Sequence, residues 1–398
     1  MKANHFLIDR YLLVREMKEG IAIVLCLLLF SACRPGTVSH RGQKADVSEI
    51  LSDSAHVTLR YAKNFTVRYL SDGTRLVDIS VAGHKSRSTY RLALVPRGVN
   101  ASGIPEEYNH RVEVPVQRCI PMGTEQLAAF IQLHALDQVS AITSVRHLQD
   151  KDVKHRIAEG KIAKIGYEGN FDTETVMALH PDAILVSPFK KGGYEALQQV
   201  GTPLIPYTAF KEPTPLGQAE WVKLVGMLTG KEKEANAFFQ QVEQHYHVYQ
   251  AIAAKTKHRP TIFSGEQKSG QWFAMGGKSY LAQLLRDAGA VYLPQHDHHT
   301  GGYPSDFESM YAMAARADYW RVMNSFPGTF SYQALKAEDR RNEQFLAFQR
   351  HHVIYCDIAS SGYHELAPLR PDWLLADFIK AMHRELLPTY QPHFYKLL

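Results

Sequence analysis

Apolar and polar positions follow two different periods along the chain. From residue 57 to 96 apolar side chains occupy alternate positions, as in Phe65-Thr-Val-Arg-Tyr69, with a turn signal at Ser71-Asp-Gly73. A period of two is typical of strands with one buried face, and Asp-Gly favours the tight turn of a hairpin. This segment is predicted to form a small antiparallel sheet that decorates the N-terminal side of the fold.

Beyond residue 96, short apolar runs alternate with segments of helical periodicity. Ala183-Ile-Leu-Val186 and Pro260-Thr-Ile-Phe263 are two such runs. Strands that alternate with helices predict a mainly parallel sheet covered on both faces. The chain is therefore predicted to be an α/β protein.

The longest helical pattern lies in the middle of the chain, at residues 231–257. Its apolar residues recur at spacings of three and four and form one stripe: Ala235, Phe238, Phe239, Val242, Tyr246, Tyr249, Ile252 and Ala253. Because strand–helix segments lie on both sides, this helix is predicted to be a rigid connector between two lobes. The predicted boundaries are 56–215 for the first lobe with its sheet at 57–96, 216–257 for the helical connector and 258–398 for the second lobe.

A repeated motif supports the division into two lobes. Asp172-Thr-Glu174 and Asp306-Phe-Glu308 each open a short helical pattern that ends at a further aspartate and leads into an apolar run. The copies lie on opposite sides of the connector, so each lobe is predicted to present one glutamate at a helix start. The plain alternative is that both acids only favour the helix dipole.

The first 33 residues are predicted to be a signal peptide. The apolar run at 20–30 is too short to cross a bilayer as a helix. It ends in Leu29-Phe-Ser-Ala-Cys33, which resembles a bacterial lipobox, and by that resemblance Cys33 becomes the lipidated first residue. Residues 34–55 are polar and aperiodic and are predicted to be a tether. Met17 is an alternative start, and a buried hydrophobic helix is the alternative for the apolar run.

Composition narrows the class of protein further. The chain of 398 residues is 45% hydrophobic and 21% charged, which is typical of a globular protein. Its net charge of +5 is spread without a basic block, so nucleic-acid binding is not expected. The two cysteines beyond the predicted signal peptide, Cys119 and Cys356, are predicted to be buried thiols rather than a disulfide.

Five motifs occur in an order that resembles a known family: Gly166-Tyr-Glu-Gly-Asn170, Glu212-Pro-Thr-Pro-Leu-Gly-Gln-Ala-Glu-Trp221, Asp287-Ala-Gly289, Ala317-Asp-Tyr-Trp320 and Arg370-Pro-Asp-Trp-Leu-Leu-Ala-Asp377. From residue 57 onward the chain is similar to Bacteroidetes-type solute-binding lipoproteins of ABC importers, of the helical-backbone class that binds iron complexes, haem or cobalamin. The resemblance implies two Rossmann-like α/β lobes joined by a single long helix, with ligand in the cleft at the carboxyl ends of the strands. It also implies a dimeric permease in the inner membrane whose arginines bind Glu174 and Glu308. Glu212 is a third docking candidate.

Loop positions that follow predicted strands supply the candidate ligand contacts: Met122, Thr124, Arg146, Tyr167, Glu168, Trp272, Phe273 and Tyr303. Aromatic side chains suit a flat macrocycle or a catechol chelate, and an arginine suits its negative charge. The alternative is that many of these aromatic residues pack within the lobes.

The predicted function is capture of an iron complex, either a siderophore or haem, by a periplasm-facing envelope lipoprotein that delivers it to an inner-membrane permease. Cobalamin is the alternative ligand. No catalysis and no resident cofactor are expected. No metal site is expected either, since the adjacent histidines of His296-Asp-His-His299 cannot converge on one ion. A lipid-anchored hydrolase using Asp306, His296 and Ser305 is the rival from another class, although no nucleophile motif is present. A structural lipoprotein without ligand is the third possibility.

Overall fold

The computed structural model describes residues 56–82, 87–143, 148–167, 170–188 and 194–398. The predicted signal peptide with Cys33 and the predicted tether lie outside these residues, as do two of the predicted ligand contacts, Arg146 and Glu168. Helices and strands alternate through most of the described chain, and the α/β prediction is confirmed.

The N-terminal sheet, which decorates the first lobe, has four strands and extends past the predicted limit at residue 96. Its order is β1-β2-β3-β4, with β1 Phe65–Tyr69, β2 Arg75–Ala82, β3 Arg87–Pro96 and β4 His110–Val114. The first three strands pair antiparallel, as expected, and β4 adds a parallel strand beyond the predicted limit at residue 96. The turn between β1 and β2 depends on Gly73, whose φ of +81° is open to glycine at little steric cost.

The first lobe is built on three parallel strands in the order β11-β10-β5. All four residues of β10 are buried, as expected for a parallel strand that is covered on both faces. Two short strand pairs, β6 with β7 and β8 with β9, lie beside this sheet. The elements are β5 Cys119–Pro121, α1 Thr124–Gln132, β6 Ala141–Ile142, α2 Lys151–Ala158, β7 Ala163–Lys164, β8 Gly166–Tyr167, β9 Asn170–Phe171, α3 Thr173–Leu179, β10 Ala183–Val186, α4 Tyr194–Gln198 and β11 Leu204–Pro206.

Three helices form the connector: α5 Pro215–Ala219, α6 Val222–Thr229 and α7 Glu232–Ala253. Gly230 ends α6 in a left-handed conformation, with φ of +71°, so the chain can turn into α7. The 22 residues of α7 span about 33 Å. Its buried face includes Phe239, Val242 and Tyr246, which confirms the predicted apolar stripe. The helix packs against α6 and against the last helix of the chain, Pro371–Met382.

The second lobe has a five-stranded sheet in the order β15-β12-β17-β18-β19, in which only β19 runs antiparallel. A small antiparallel sheet, β13-β14-β16, lies at one end of it. The elements are β12 Thr261–Ser264, β13 Gln267–Lys268, β14 Gln271–Met275, α8 Tyr280–Asp287, β15 Val291–Tyr292, β16 Gly302–Ser305, α9 Phe307–Ala314, β17 Tyr319–Asn324, α10 Tyr332–Glu338, α11 Leu346–Gln349, β18 Val353–Asp357, α12 Tyr363–Leu366, α13 Pro371–Met382 and β19 Lys396–Leu397.

One hydrophobic core extends through both lobes and the connector. Leu92 of the decorating sheet, Leu185 of the first lobe, Tyr246 of α7 and Ile354 of the second lobe all belong to it. Burial of this continuous apolar surface holds the lobes together. It thereby fixes which loops of the two lobes face each other.

Candidate ligand cleft and docking face

A cavity of about 190 Å³ lies between the lobes, where the carboxyl ends of several parallel strands meet. Glu125 follows β5, Phe210 follows β11 and Tyr363 follows β18, so each lobe supplies part of the wall. Open α/β sheets bind ligands at this edge. The full lining is Glu125, Phe210, Pro215, Gln218, Tyr280, Tyr363, His364, Ala367, Pro368, Pro371 and Leu374.

Hydrogen bonds join the two lobes beside this cavity. The carboxylate of Glu365, only 3% exposed, accepts the backbone N–H of Gln149 at 2.5 Å and that of Asp150 at 3.1 Å. The side-chain amide of Gln149 donates to the carbonyl of Ala359 at 2.7 Å. Burial raises the pKa of the Glu365 carboxyl above its ordinary value. We name this set of contacts the interlobe latch.

A cluster of tyrosines surrounds a buried arginine on the second-lobe side of the cavity. Arg321, on β17, is 7% exposed and donates from Nε to the hydroxyl of Tyr395 at 3.0 Å. The hydroxyls of Tyr280 and Tyr363, which both line the cavity, are 3.1 Å apart. The rings of Tyr363 and Tyr395 meet edge to face at 6.2 Å. Phenols therefore link the cavity wall to the guanidinium behind it.

The three predicted ligand contacts of the first lobe that the structure describes lie in different environments. Met122 is 6% exposed and belongs to the apolar core of that lobe. Thr124 is the first residue of α1, and the helix is capped by Gly123 and the Gln126 side chain, which accepts the Gly123 N–H at 2.9 Å. Tyr167 is 61% exposed. The cavity lining does not include Met122, Thr124 or Tyr167, and their contact with ligand remains a prediction.

Trp272 is a core residue, and the structure corrects its assignment to the cleft. It is fully buried, stacks with Trp320 at 5.7 Å and donates its indole N–H to the carbonyl of Ser264 at 3.1 Å. Its neighbour on β14, Phe273, is 51% exposed. Successive residues of a strand point to opposite faces, so one member of the pair had to be buried. The indole of Trp272, the larger of the two side chains, occupies the buried position.

Phe273 and Tyr303 lie on the small antiparallel sheet. Tyr303 is half-buried and stacks on His299 with 5.0 Å between ring centroids. Burial raises the pKa of its phenol. Neither residue lines the interlobe cavity, so their role as ligand contacts also remains a prediction.

Glu174 and Glu308 occupy equivalent places on the two lobes. In each copy the preceding aspartate caps the helix: Asp172 accepts the N–H of Thr175 at 2.9 Å and Asp306 that of Ser309 at 2.7 Å. The glutamate in the first turn then faces solvent. The repeat therefore has a local physical cause, an Asx cap followed by an exposed acid.

The environments of the two glutamates differ in one respect. The carboxylate of Glu308 lies 2.9 Å from the guanidinium of Arg341, and its side chain is 75% exposed. Arg341 is itself held by Asp339 at 2.8 Å and lies over the ring of Phe307 at 4.1 Å. No carboxylate–cation pair is found for Glu174 within the described part of the chain. The charge of Glu308 is therefore partly compensated by Arg341, whereas the described residues supply no such partner for Glu174.

Glu212 is a structural residue, and its candidacy for docking is corrected. It is 4% exposed and accepts the backbone N–H groups of Lys63 and Asn64 at 2.8 and 2.9 Å. Glu220, in the same motif, accepts three further N–H groups from residues 60–62. Both glutamates hold residues 60–64 against the motif at 212–221 by accepting their backbone N–H groups. A buried carboxylate with these partners is not available to a permease.

The two described cysteines are buried free thiols, as predicted. Burial raises the pKa of Cys356 to about 12, so the thiol is neutral. His296-Asp-His-His299 forms an exposed segment in which His299 contacts Asp297 at 3.0 Å. Among the described residues, no three His, Cys, Asp or Glu side chains are placed to hold a metal ion.

Sequence reasoning missed several residues that lie in or beside the wall of the interlobe cavity. Arg321 lies inside an apolar run that reads as a buried strand, and this signal could have found it, because a charge at such a position requires a partner. Tyr363 and Glu365 follow β18 in a segment without a distinctive motif. Their importance arises from contacts between lobes, which periodicity does not report.

Two α/β lobes joined through a long helix, with a cavity between them at the carboxyl ends of the strands, define a two-lobed binding protein. The chain belongs to the periplasmic binding protein family, whose sequence model matches residues 123–359, more than half of the chain. The decorating sheet lies outside that match.

Similar proteins extend over most of the chain. An uncharacterized lipoprotein of Methanocaldococcus jannaschii is 24% identical and aligns with 95% of this chain and 96% of its own length. A periplasmic binding protein from Veillonella parvula superposes with a TM-score of 0.57 at 13% identity, over 77% of this chain and 98% of that one. A periplasmic haem-binding protein from Pseudomonas aeruginosa gives 0.54 at 19% identity, over 71% of this chain and 97% of that one. These structural likenesses establish the fold.

No helix among the described residues combines the length and apolar character needed to cross a bilayer.

Proposed function

We propose that this protein is the solute-binding component of an ABC importer that captures an iron complex, either a siderophore or haem, and delivers it to a permease dimer in the inner membrane. The observation that carries the proposal is the cavity between the two lobes at the carboxyl ends of their strands, in a chain of the periplasmic binding protein family. In this function the protein binds and releases the ligand without changing it chemically.

The character of the cavity wall supports an aromatic or chelate ligand. Phe210, Tyr280 and Tyr363 supply aromatic surface, and His364 and Gln218 supply polar groups beside it. Binding sites for small molecules combine apolar walls with a few placed polar groups in this way. The structural likeness to a haem-binding protein agrees with this ligand class. Cobalamin is the alternative within the same function.

The size of the cavity sets a condition on binding. At about 190 Å³ it is smaller than the roughly 300–1,000 Å³ typical of ligand pockets. A complete metal chelate therefore requires a small separation of the lobes, or it places only one arm in the cavity. We expect rocking of a few degrees rather than wide opening, because α7 and the shared core join the lobes.

Glu174 and Glu308 are proposed to dock on arginines of the permease. Both are exposed acids at helix starts, one on each lobe. Carboxylates accept paired hydrogen bonds from guanidinium, and separated charge pairs fix the orientation of a complex and speed its formation. Anchoring through a lipid on Cys33 is proposed as well, and the name of the Methanocaldococcus jannaschii relative agrees with it. Replacing Cys33 with Ser should release the protein from the membrane fraction, and unchanged retention would refute the anchor.

The hydrolase alternative has little support from the geometry. Both carboxylate oxygens of Asp306 are engaged by Ser309, at 2.7 Å to its N–H and 2.9 Å to its hydroxyl, where they cap α9. Asp306 is therefore occupied in a structural role rather than placed to act on a substrate.

Titration of the purified protein with haemin, a ferric siderophore and cyanocobalamin tests the proposed function. Tryptophan fluorescence and isothermal calorimetry would report binding. We expect saturable binding of at least one iron complex with one ligand per chain. Failure of all three to bind, or turnover of an ester, phosphate or glycoside, would contradict the proposal.

A further inference from the structure

A second cavity, of about 410 Å³, lies on the outer face of α7, the side that is exposed to solvent, and contains two arginines. Arg259 donates from Nη2 to the carbonyl of Arg286 at 3.4 Å, and Arg286 donates from Nη1 to the carbonyl of Gly277 at 3.2 Å. Among the described residues, no carboxylate lies within 4.0 Å of either guanidinium. We name this cavity the basic pocket; its lining is His247, Gln250, Ala251, Ala254, Arg259, Arg286 and Asp287.

Capping of a helix end explains only part of this arrangement. Arg286 lies in the last turn of α8, and the carbonyl that Arg259 contacts belongs to the same end, where the helix dipole favours cations. Each guanidinium has five N–H groups, however, and each of these contacts uses one of them. Asp287, an acid in the lining, accepts the hydroxyl of Tyr246 at 2.7 Å. Two like charges that line one cavity repel each other unless an anion lies between them, so the pocket favours an anionic ligand.

The basic pocket is separate from the interlobe cavity. Arg259 comes just before β12 and Arg286 a few residues before β15, and these two strands are parallel. The basic pocket therefore lies near the amino ends of strands, whereas the interlobe cavity lies at carboxyl ends. None of the described residues lines both cavities. The pocket is thus a site of its own, at the opposite edge of the second-lobe sheet.

The chain around the basic pocket is rich in cations and carries an exposed apolar side chain. Residues 244–259 include Lys255, Lys257 and Arg259 and contain no aspartate or glutamate. All three cations are exposed. Val248, on the same stretch of α7, is 56% exposed. Exposed cations beside an exposed apolar side chain are typical of surfaces that contact anionic membranes.

The N-terminal segment reaches the same face of α7. The side chain of Asn236 donates to the carbonyl of His56 at 3.0 Å, and the hydroxyl of Tyr61 lies 3.1 Å from Nε2 of His247. Asn236 and His247 are about three helical turns apart and so lie on one face of the helix, and His247 lines the basic pocket. His56 is the first described residue. A lipid on Cys33 would therefore hold the protein to its membrane from this face.

We propose that the basic pocket binds the phosphate of an anionic phospholipid headgroup, so that the anchored protein rests on its membrane by the outer face of α7. This inference goes beyond the proposed transport function and rests on the proposed anchor at Cys33. The planar guanidinium of arginine donates paired hydrogen bonds to phosphate oxygens. The headgroup contact alone is weak, on the order of millimolar accessible lipid, so it orients the anchored protein without replacing the lipid. The interlobe cavity, at the opposite ends of the strands, is then turned away from the membrane.

A fluorescent reporter beside the pocket tests the proposal in the mature, lipidated protein inserted in vesicles. Val248→Cys supplies a thiol for selective labelling, since Cys119 and Cys356 are buried. Quenching of the label by acrylamide would be compared between vesicles of phosphatidylglycerol and vesicles of phosphatidylcholine. We expect the quenching constant to be at least about threefold lower on phosphatidylglycerol, and concentrated salt to remove most of that difference, because salt screens exposed charges.

The double variant Arg259→Gln with Arg286→Gln should abolish the difference between the two lipids. The matched control, Arg91→Gln with Arg111→Gln, removes the same charge from exposed positions of the decorating sheet and should keep the difference. Equal quenching on the two lipids in the unsubstituted pocket, or an undiminished difference in the first variant, would overturn the proposal. Thermal stabilisation by inorganic phosphate that the first variant loses, without a difference between lipids, would assign the pocket to free phosphate instead. Failure of the protein to float with either kind of vesicle would refute the anchor and this proposal with it, while the haemin titration still tests the transport function.

Discussion

The carboxylate of Glu365, in the second lobe, accepts a hydrogen bond of 2.5 Å from the backbone N–H of Gln149, in the first. The N–H of Asp150 reaches the same carboxylate. Asp150 in turn caps α2 by accepting the N–H of Val153 at 2.9 Å. The Glu365 side chain therefore ties the start of the first-lobe helix α2 to α12, the short helix that follows β18. The interlobe latch sets the relation of the two walls of the cleft.

Loss of the latch should weaken the fold measurably. Glu365→Ala leaves two backbone N–H groups without their acceptor, and hydrogen bonds to a charged group contribute roughly 1.5–3 kcal/mol each. We expect the free energy of unfolding in urea to fall by about 3 kcal/mol and the radius of gyration to increase. Glu385→Ala, at an exposed position, is the control and should change stability by less than about 0.5 kcal/mol. A Glu365 variant as stable and compact as wild type would show that the latch contributes nothing.

Removal of Glu174 and Glu308 should separate transport from binding. The double variant Glu174→Ala with Glu308→Ala should keep its ligand affinity and lose roughly tenfold or more in cellular uptake, because charge pairs orient the docked complex. Arg341 already compensates Glu308, so Glu174→Ala alone should reduce uptake more than Glu308→Ala alone. Glu234→Ala, an exposed acid in the first turn of α7, is the control. Lost affinity with normal docking would refute the assignment.

Adjacent residues of β14 should respond in opposite ways to truncation. Trp272→Ala opens a cavity in the aromatic core of the second lobe and should cost about 3–5 kcal/mol. Phe273→Ala removes a side chain that is 51% exposed and should cost less than about 1 kcal/mol. Denaturant unfolding of both variants checks the orientation of the strand. Similar losses of stability for the two variants would mean that β14 does not place Trp272 inside the core and Phe273 outside it.

Asp377 should make the stability of the fold depend on pH. Its carboxylate, on α13, accepts the N–H groups of His393, Phe394 and Tyr395 and the hydroxyl of Tyr390 at 2.7–2.9 Å. Burial is the main influence and raises its pKa to about 6, above the value of 3.8 expected when unfolded. The folded state therefore favours the protonated form. The stability from this group is fully present below pH 3.8 and is lost as the pH rises through about 6.

Comparison of wild type with Asp377→Asn isolates this effect, because the amide does not titrate. The difference in unfolding free energy between the two should shrink by up to about 3 kcal/mol between pH 4 and pH 6. Urea unfolding at several pH values measures it. A difference that grows with pH would show that hydrogen bonding, rather than burial, dominates the carboxyl.

Much of the architecture follows from patterns that are local in sequence. The alternation in β1, the fully apolar β10 and the stripe of α7 each predict an element and its buried face, because backbone geometry repeats every two or every 3.6 residues. The Asp-x-Glu repeat predicts two helix starts with exposed acids. Each of these depends on neighbours a few positions apart.

The errors have a common origin in contacts between distant segments. Glu212 looked like an exposed acid of a conspicuous motif, yet it binds backbone groups about 150 residues earlier in the chain. Trp272 looked like a cleft aromatic, yet β14 turns it toward Trp320. Neither outcome can be derived from local periodicity, since burial depends on which segment packs against which.

The sequence by itself determined an α/β chain with two similar halves, a long central helix and one exposed acid at the start of a helix in each half, because hydrophobic periodicity and helix capping are local. Tertiary structure alone decided the cleft. It brought Glu365 to Gln149 and placed Arg321 among phenols behind the cavity wall. Whether a buried charge or hydrogen-bonding group finds a partner depends on the residues that surround it in space. Those neighbours are known only once the lobes have packed together.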